Sequence, residues 1–154
     1  MPLAQFVVRA AIRPALSGTT REQVVREMVQ SLVDATAIAE TDREDVVKAV
    51  LRRESLGSTG IGKNIAIPHS RHAAATQLVG TVGVSPTGIP FDSLDGEPVH
   101  IFVLLVSPQD RPADHLRALE NVVKAMNVDA FVDALKAAKS ADEIWDVLQN
   151  QPAG

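Results

Sequence analysis

The sequence predicts an α/β sandwich: a single domain over residues 1–154, with a mixed central β-sheet flanked by helices on both sides. Three observations carry this expectation. Val99 to Val106 is an apolar run broken only by His100, and a run without alternation suits a central strand buried on both faces. Segments whose apolar residues recur at helical spacing alternate with short β-rich runs, as in helices layered on a sheet. Thr20 with Gln23, Thr41 with Glu44 and Ser140 with Glu143 each fit a capping box, in which side chains satisfy the free N–H groups that open a helix.

In chain order, Phe6–Val8 and Ile12–Leu16 read as short edge strands, with Pro14 limiting the second to an edge or turn. A helix is predicted over 21–34, with Val25, Met28, Val29 and Leu32 on one face. A second carries Val46, Val47, Val50 and Leu51 and ends near Arg52, Arg53 and Glu54, where basic residues suit the negative end of the helix dipole. Leu78–Val84 is β-rich, Pro86–Phe91 reads as a turn and extended loop, and Asp95-Gly96 as a tight turn. Pro112 is a natural first helical residue. Leu116, Leu119, Val123 and Met126 form the expected buried stripe of that helix, and Asn127 ends it. Phe131, Val132 and Leu135 mark a short fourth helix. Ile144, Val147 and Leu148 mark the last, which Trp145 packs down, and residues 149–154 are expected to fray.

Composition narrows the function. A net charge of −4 lacks the basic excess of a nucleic-acid binder, and the absence of cysteine removes disulfides, thiolate metal sites and a cysteine nucleophile. Neither a leader pattern nor an apolar run of membrane-spanning length is visible, so the expectation is a cytoplasmic protein without direct membrane insertion.

Gly60 to Arg71 is the most informative stretch. A glycine loop passes into Ile65-Ala66-Ile67, stops at Pro68 and delivers His69. Proline has a fixed φ and no N–H, so it ends a strand and restricts how the next residue is aimed. A histidine at such an edge meets a partner or substrate, and near neutral pH much of it is unprotonated and nucleophilic. Taken alone, His69 is as readily a structural or merely exposed histidine. The loop does not read as a P-loop, since Gly57 reads as one place short of the required spacing and Asn64 stands where the hydroxyl residue belongs.

Ser58 to His69, Ser-Thr-Gly-Ile-Gly-Lys-Asn-Ile-Ala-Ile-Pro-His, resembles the active-site signature of type-2 enzyme IIA domains of the phosphoenolpyruvate-dependent phosphotransferase system. This is the fructose, mannitol and nitrogen-regulatory group, and the resemblance extends over nearly the whole chain. It implies that His69 is the phosphorylated nucleophile, through Nε2. It also implies that the arginine of the Arg-Glu pair before the loop, Arg53, approaches the phosphohistidine, with Arg52 as its neighbour by one register step. The His115-Leu116 pair opening the helix after Pro112 matches the family's second active-site histidine. The implied donor is phospho-HPr or its nitrogen-branch counterpart. The implied acceptor or target is an enzyme IIB domain, or a regulated kinase or transporter. Ser70 departs from the glycine that many members carry, and the lack of a IIB or membrane part in this chain resembles the freestanding nitrogen-regulatory kind.

The chemistry agrees with the resemblance. The first turn of a helix favours an anion, and a guanidinium matches phosphate oxygens bidentately. Transfer between two histidines needs mainly positioning and charge neutralisation, with no metal or cofactor required in principle. A phosphoryl carrier and a regulatory module switched by phosphorylation of His69 both fit. His72, three residues after His69, suggests a metal pair, but no carboxylate lies in the stretch and it reads as a surface residue. His100 reads as a satisfied core histidine that could support the site from behind.

Overall fold

The structure, a computed structural model, describes residues 2–152. Its centre is the strand Val99–Ser107, and the other elements are best placed by their relation to it. The helices are α1 (Arg21–Asp34), α2 (Arg43–Ser55), α3 (Pro112–Met126), α4 (Asp129–Ala137) and α5 (Ala141–Gln149). The strands are β1 (Gly60–Gly62), β2 (Ile65–Ala66), β3 (His69–Arg71), β4 (Val79–Ile89) and β5 (Val99–Ser107). The sheet is mixed. β4 pairs antiparallel with one edge of β5, while β2 and β3 both pair parallel with its other edge. β1 then pairs antiparallel with β2.

Every residue of β5 except His100 is buried. Its side chains alternate between faces, as strand geometry requires. Ile101, Val103 and Leu105 face a core built with α3, α4 and α5. Phe102, Leu104 and Val106 face a second core built with α1 and α2. The predicted sandwich, with helices on both sides of a mixed sheet, is therefore observed.

Several local expectations change. The N-terminal segment forms two 3₁₀ turns, Leu3–Gln5 and Arg9–Ala11, rather than strands. It still covers the outer edge of β4 through isolated bridges at Val7–Gly80 and Arg13–Gly83, so β4 does not present an open row of donors. β4 runs through Pro86 to Ile89, beyond the predicted turn, and absorbs the proline in a register shift after Val84. Thr20 and Ser140 cap their helices as expected, each accepting from the N–H three residues on. Thr41 does not: a 3₁₀ turn over Glu40–Asp42 leads into α2, and Asp42 stands at its N-cap without a side-chain bond.

The buried stripe of α3 is Ala118, Val122, Ala125 and Met126, whereas Leu116 is 57% exposed. Alanines at the contact let the helix lie close to its neighbours, which turns Leu116 and Val123 outward. The tail is partly tied down, since Gln151 Oε1 accepts from the Leu3 N–H at 2.8 Å; residues 153 and 154 lie outside the described residues. Arg9 reaches α5 too, pairing with Asp142 at 3.1 Å and lying over the Trp145 ring. No helix of the described residues is long and apolar enough to cross a membrane.

Leu104→Ala removes a fully buried side chain from the α1–α2 side of β5. It is expected to cost about 2–5 kcal/mol, read in urea unfolding as a lower midpoint with little change in slope.

Candidate active site

Pro68 divides what would otherwise be one strand along β5. Ala66 pairs with Phe102, and after the proline His69 pairs with Leu105. Pro68 donates nothing, but its carbonyl accepts from the Leu105 N–H at 3.0 Å, so the chain returns to the sheet at once. His69 is thus the first residue of β3 rather than a residue beyond the strand's end, and it is half-buried rather than projecting freely.

The Ile67 carbonyl lies 2.7 Å from His69 Nδ1. A carbonyl can only accept, so Nδ1 carries the proton and the neutral ring holds its lone pair on Nε2. Burial pushes the His69 pKa down; the Ile67 carbonyl opposes this, the Arg53 charge adds to it, and Glu54 opposes it more weakly. The imidazole therefore remains neutral further into acid than a free histidine.

His115 is the fourth residue of α3, and its ring centroid lies 5.4 Å from that of His69 with 52° between the planes. Its Nδ1 is hydrogen-bonded to Ser107 Oγ. Ser107 is fully buried, and among the described residues its hydroxyl hydrogen has no other acceptor, so Ser107 donates and the His115 proton sits on Nε2. Burial, followed by the His69 and Arg71 charges, pushes the His115 pKa down to about 4. At neutral pH this ring is an uncharged N–H donor.

Arg53 reaches the same place from the last turn of α2, where its Nη1 donates to the Gly57 carbonyl at 2.9 Å. Arg53, His69, Ser70, Arg71, Gln109 and His115 line one open pocket of about 440 Å³. The three residues singled out in the sequence are brought together, and Arg53 rather than Arg52 is the arginine present. Among the described residues no carboxylate lines the pocket.

Residues 6–151 match the family described as "Phosphoenolpyruvate-dependent sugar phosphotransferase system, EIIA 2". The chain belongs to this family. The nitrogen regulatory protein of Bradyrhizobium diazoefficiens is 32% identical over 99% of this chain and 98% of its own length. The fructose-specific EIIABC component of Bacillus subtilis is 31% identical over 96% of this chain, which spans 23% of that longer protein. Among solved structures, the nitrogen regulatory protein IIA-Ntr from Neisseria meningitidis superposes with a TM-score of 0.85 at 26% identity, covering 94% of this chain and 97% of that one. The Escherichia coli complex of IIA-mannitol with phosphorylated IIB-mannitol shares the fold, with a TM-score of 0.76 at 18% identity over 92% of this chain and 96% of that one.

In this EIIA chain the glycine loop is held by a residue that sequence reasoning treated only as a helix end. Glu54 is 4% exposed, and its carboxylate accepts from the Thr59 N–H at 2.8 Å and from the Thr59 hydroxyl at 2.6 Å. The Thr59 carbonyl in turn accepts from the Ile67 N–H at 3.1 Å, which links α2, the loop and the segment carrying His69. Gly60 is required because a Cβ there would stand 2.2 Å from Ser93 Oγ. The spacing Gly57 to Gly62-Lys63 does match that of a phosphate-cradling loop, so the missing hydroxyl was the weaker argument against one. The stronger is topological: the loop leads from helix α2 into the β1–β2 hairpin, whereas a P-loop leads from a strand into a helix.

The other histidines stand apart. His72 is not a free surface residue: its Nε2 lies 3.0 Å from Asp45 Oδ2, and its Nδ1 accepts from the Ala74 N–H. Among the described residues no group of three or more potential metal ligands is formed. His100 lies at the opposite end of β5, with Nδ1 bonded to the Ser85 carbonyl, and does not back the pocket. Ser107, Arg71 and Gln109 were not singled out from sequence. Only Ser107 carried a signal, as the hydroxyl that closes a long apolar run.

Glu54→Gln replaces an acceptor-only group with one that must also turn an amide toward two donors. It is expected to cost about 1–3 kcal/mol in denaturant unfolding and to speed hydrogen exchange at the Thr59 amide. The histidines give a pH signature. The unfolded His115 titrates near ~6.5 and the folded one at about 4, so the unfolded chain binds the extra proton between these values. The stability contribution is whole above the unfolded pKa and is lost as pH falls through this window. His115→Gln is therefore expected to make stability fall less steeply between pH ~7 and ~5 than in the wild type, and NMR should place the His115 midpoint near 4.

Proposed function

We propose that residues 1–154 act as one EIIA type-2 domain and that the chain is a phosphoryl carrier with His69 as its acceptor. The observation that carries this is the convergence, in the lining of one open pocket, of a histidine whose lone pair is left on Nε2, an N–H donor, His115, and a guanidinium, Arg53. The donor is a protein-borne phosphohistidine, phospho-HPr or its nitrogen-branch counterpart. His69 Nε2 attacks phosphorus in line, the donor's P–N bond breaks, and the donor imidazole leaves with its own N–H and the bonding electron pair. The phosphorylated His69 keeps its Nδ1 proton on the Ile67 carbonyl and is an imidazolium, while the donor ring, an imidazolium before transfer, leaves as neutral imidazole, so no separate acid or base is needed. Arg53 and His115 hold the equatorial oxygens, where the charge of the transferring group is spread. The reverse sequence passes the group to an enzyme IIB domain.

A second reading is supported by the relatives named nitrogen regulatory proteins. In it the phosphohistidine persists and its charge alters affinity for a kinase or transporter. The two differ in the fate of the group: a carrier hands it on, while a switch binds a partner differently in its two states and passes nothing on.

Intact mass after incubation with phosphoenolpyruvate, enzyme I and HPr, or the nitrogen-branch pair, tests the chemistry. One acid-labile phosphoryl group is expected on the wild type and none on His69→Gln. His115→Ala is expected to accept it about 10²–10³-fold more slowly, the usual cost of deleting one oxyanion donor. Equal labelling of wild type and His69→Gln sinks the assignment. Subsequent transfer to a IIB domain separates carrier from switch.

A further inference from the structure

The geometry points to Arg71 as a second guanidinium for the phosphoryl group, a catalytic residue acting from strand β3, whereas Arg53 and His115 act from helices. This rests on the carrier reading above. Arg71 lies two residues after His69 on the same strand, so the two side chains leave the same face of β3. It lines the pocket that contains both histidines.

Charge decides the matter. A phosphoryl group on histidine carries about −1.5 to −2 charges near neutral pH. Two guanidinium groups, Arg53 and Arg71, line the pocket that receives it, and each matches phosphoryl oxygens with a planar fork of donors. After burial and His69, the Arg71 charge is the further cause that holds the His115 pKa down. Arg71 also has no competing obligation: among the described residues Arg71 enters no salt bridge, in contrast to Arg111 and Arg117, which both pair with Asp114. A planar fork held by the backbone of a strand that is itself fixed to β5 can follow the group as it moves between donor and acceptor.

The roles divide by element. Arg53 is engaged by the Gly57 carbonyl and is set by α2, and His115 is set by Ser107 and α3. Arg71 is exposed, whereas Arg53 and His115 are only partly so, which makes it the charged side chain of the pocket most open to an incoming partner. It is therefore the group placed to meet oxygens that still belong to the incoming partner.

Phosphoramidate, which gives its phosphoryl group to histidine with loss of ammonia, tests this without any partner protein. Labelling rates at His69 would be measured for wild type, Arg71→Ala, Arg71→Lys and His69→Gln, with thermal unfolding as a check on folding. Arg71→Ala is expected to be labelled at least about tenfold more slowly, with Arg71→Lys recovering part of the rate because it restores charge without the fork. The His115 midpoint, read by NMR, should also rise in Arg71→Ala, which loss of a merely structural contact would not cause. Labelling of Arg71→Ala within twofold of wild type, with His69→Gln unlabelled, overturns the role of Arg71 and leaves the carrier reading standing. Equal labelling of His69→Gln and wild type overturns both.

Discussion

The bend at Ile67-Pro68 is the constraint on which the site depends. Asn64 and Pro68 turn their carbonyls to β5, whereas Ile67 between them faces the other way, its N–H donating to the Thr59 carbonyl and its own carbonyl accepting from the imidazole two residues on. Pro68 has no N–H to give the ladder and restricts how the next residue is aimed. The sheet resumes immediately, with Leu105 donating to the Pro68 carbonyl. The result is a histidine whose ring is fixed by main chain on one nitrogen and open on the other. A side-chain partner could serve the first nitrogen too, but would itself need to be ordered; a carbonyl locked between two paired strands already is.

The remaining parts are brought in by helix ends. α2 arrives with Arg53 and Glu54 side by side, one in the pocket and one buried beneath the glycine loop. α3 departs with His115 in its first turn, anchored through a serine that closes β5. Because β5 carries the pairing for β3 and also ends in Ser107, the relative placement of the two histidines is governed by a strand buried on both faces. Packing on either face thus bears on the site, and burial is the largest influence on both imidazoles.

Much of this was legible in the sequence. The unbroken apolar run of β5 announced a two-sided core, and the order glycine loop, strand, proline, histidine announced the site. Arg53 could be separated from Arg52 only once α2 had a direction in space. Arg71 and Gln109 left no local signal, since an exposed arginine on a strand reads like any solvated charge until the pocket exists. Glu54 looked like a helix-ending charge because its partner, Thr59, is a loop residue whose position follows from the fold. Met126 and Leu119 of the expected α3 stripe do pack on the core, but Leu116 and Val123 were misplaced because large apolar residues outrank alanine in a pattern search, while Ala118 and Ala125 take the buried positions. The Thr41 signal failed because a 3₁₀ turn, equally compatible with Glu40–Asp42, took its place.

The hydrogen bond between the Leu3 amide and the Gln151 side chain, together with the pairing of Arg9 with Asp142, brings the two ends of the described chain to one spot. A unit with adjoining ends can be spliced into a longer polypeptide as a bead whose entry and exit share a single junction. Neighbouring segments then attach without being threaded across the sheet and without altering the loop–strand–helix arrangement around His69. The EIIABC protein of Bacillus subtilis matches this chain over under a quarter of its length, so a related unit stands there as part of a longer polypeptide. Modularity here is a property of chain geometry, secured by a few polar contacts far along the sequence from the chemistry.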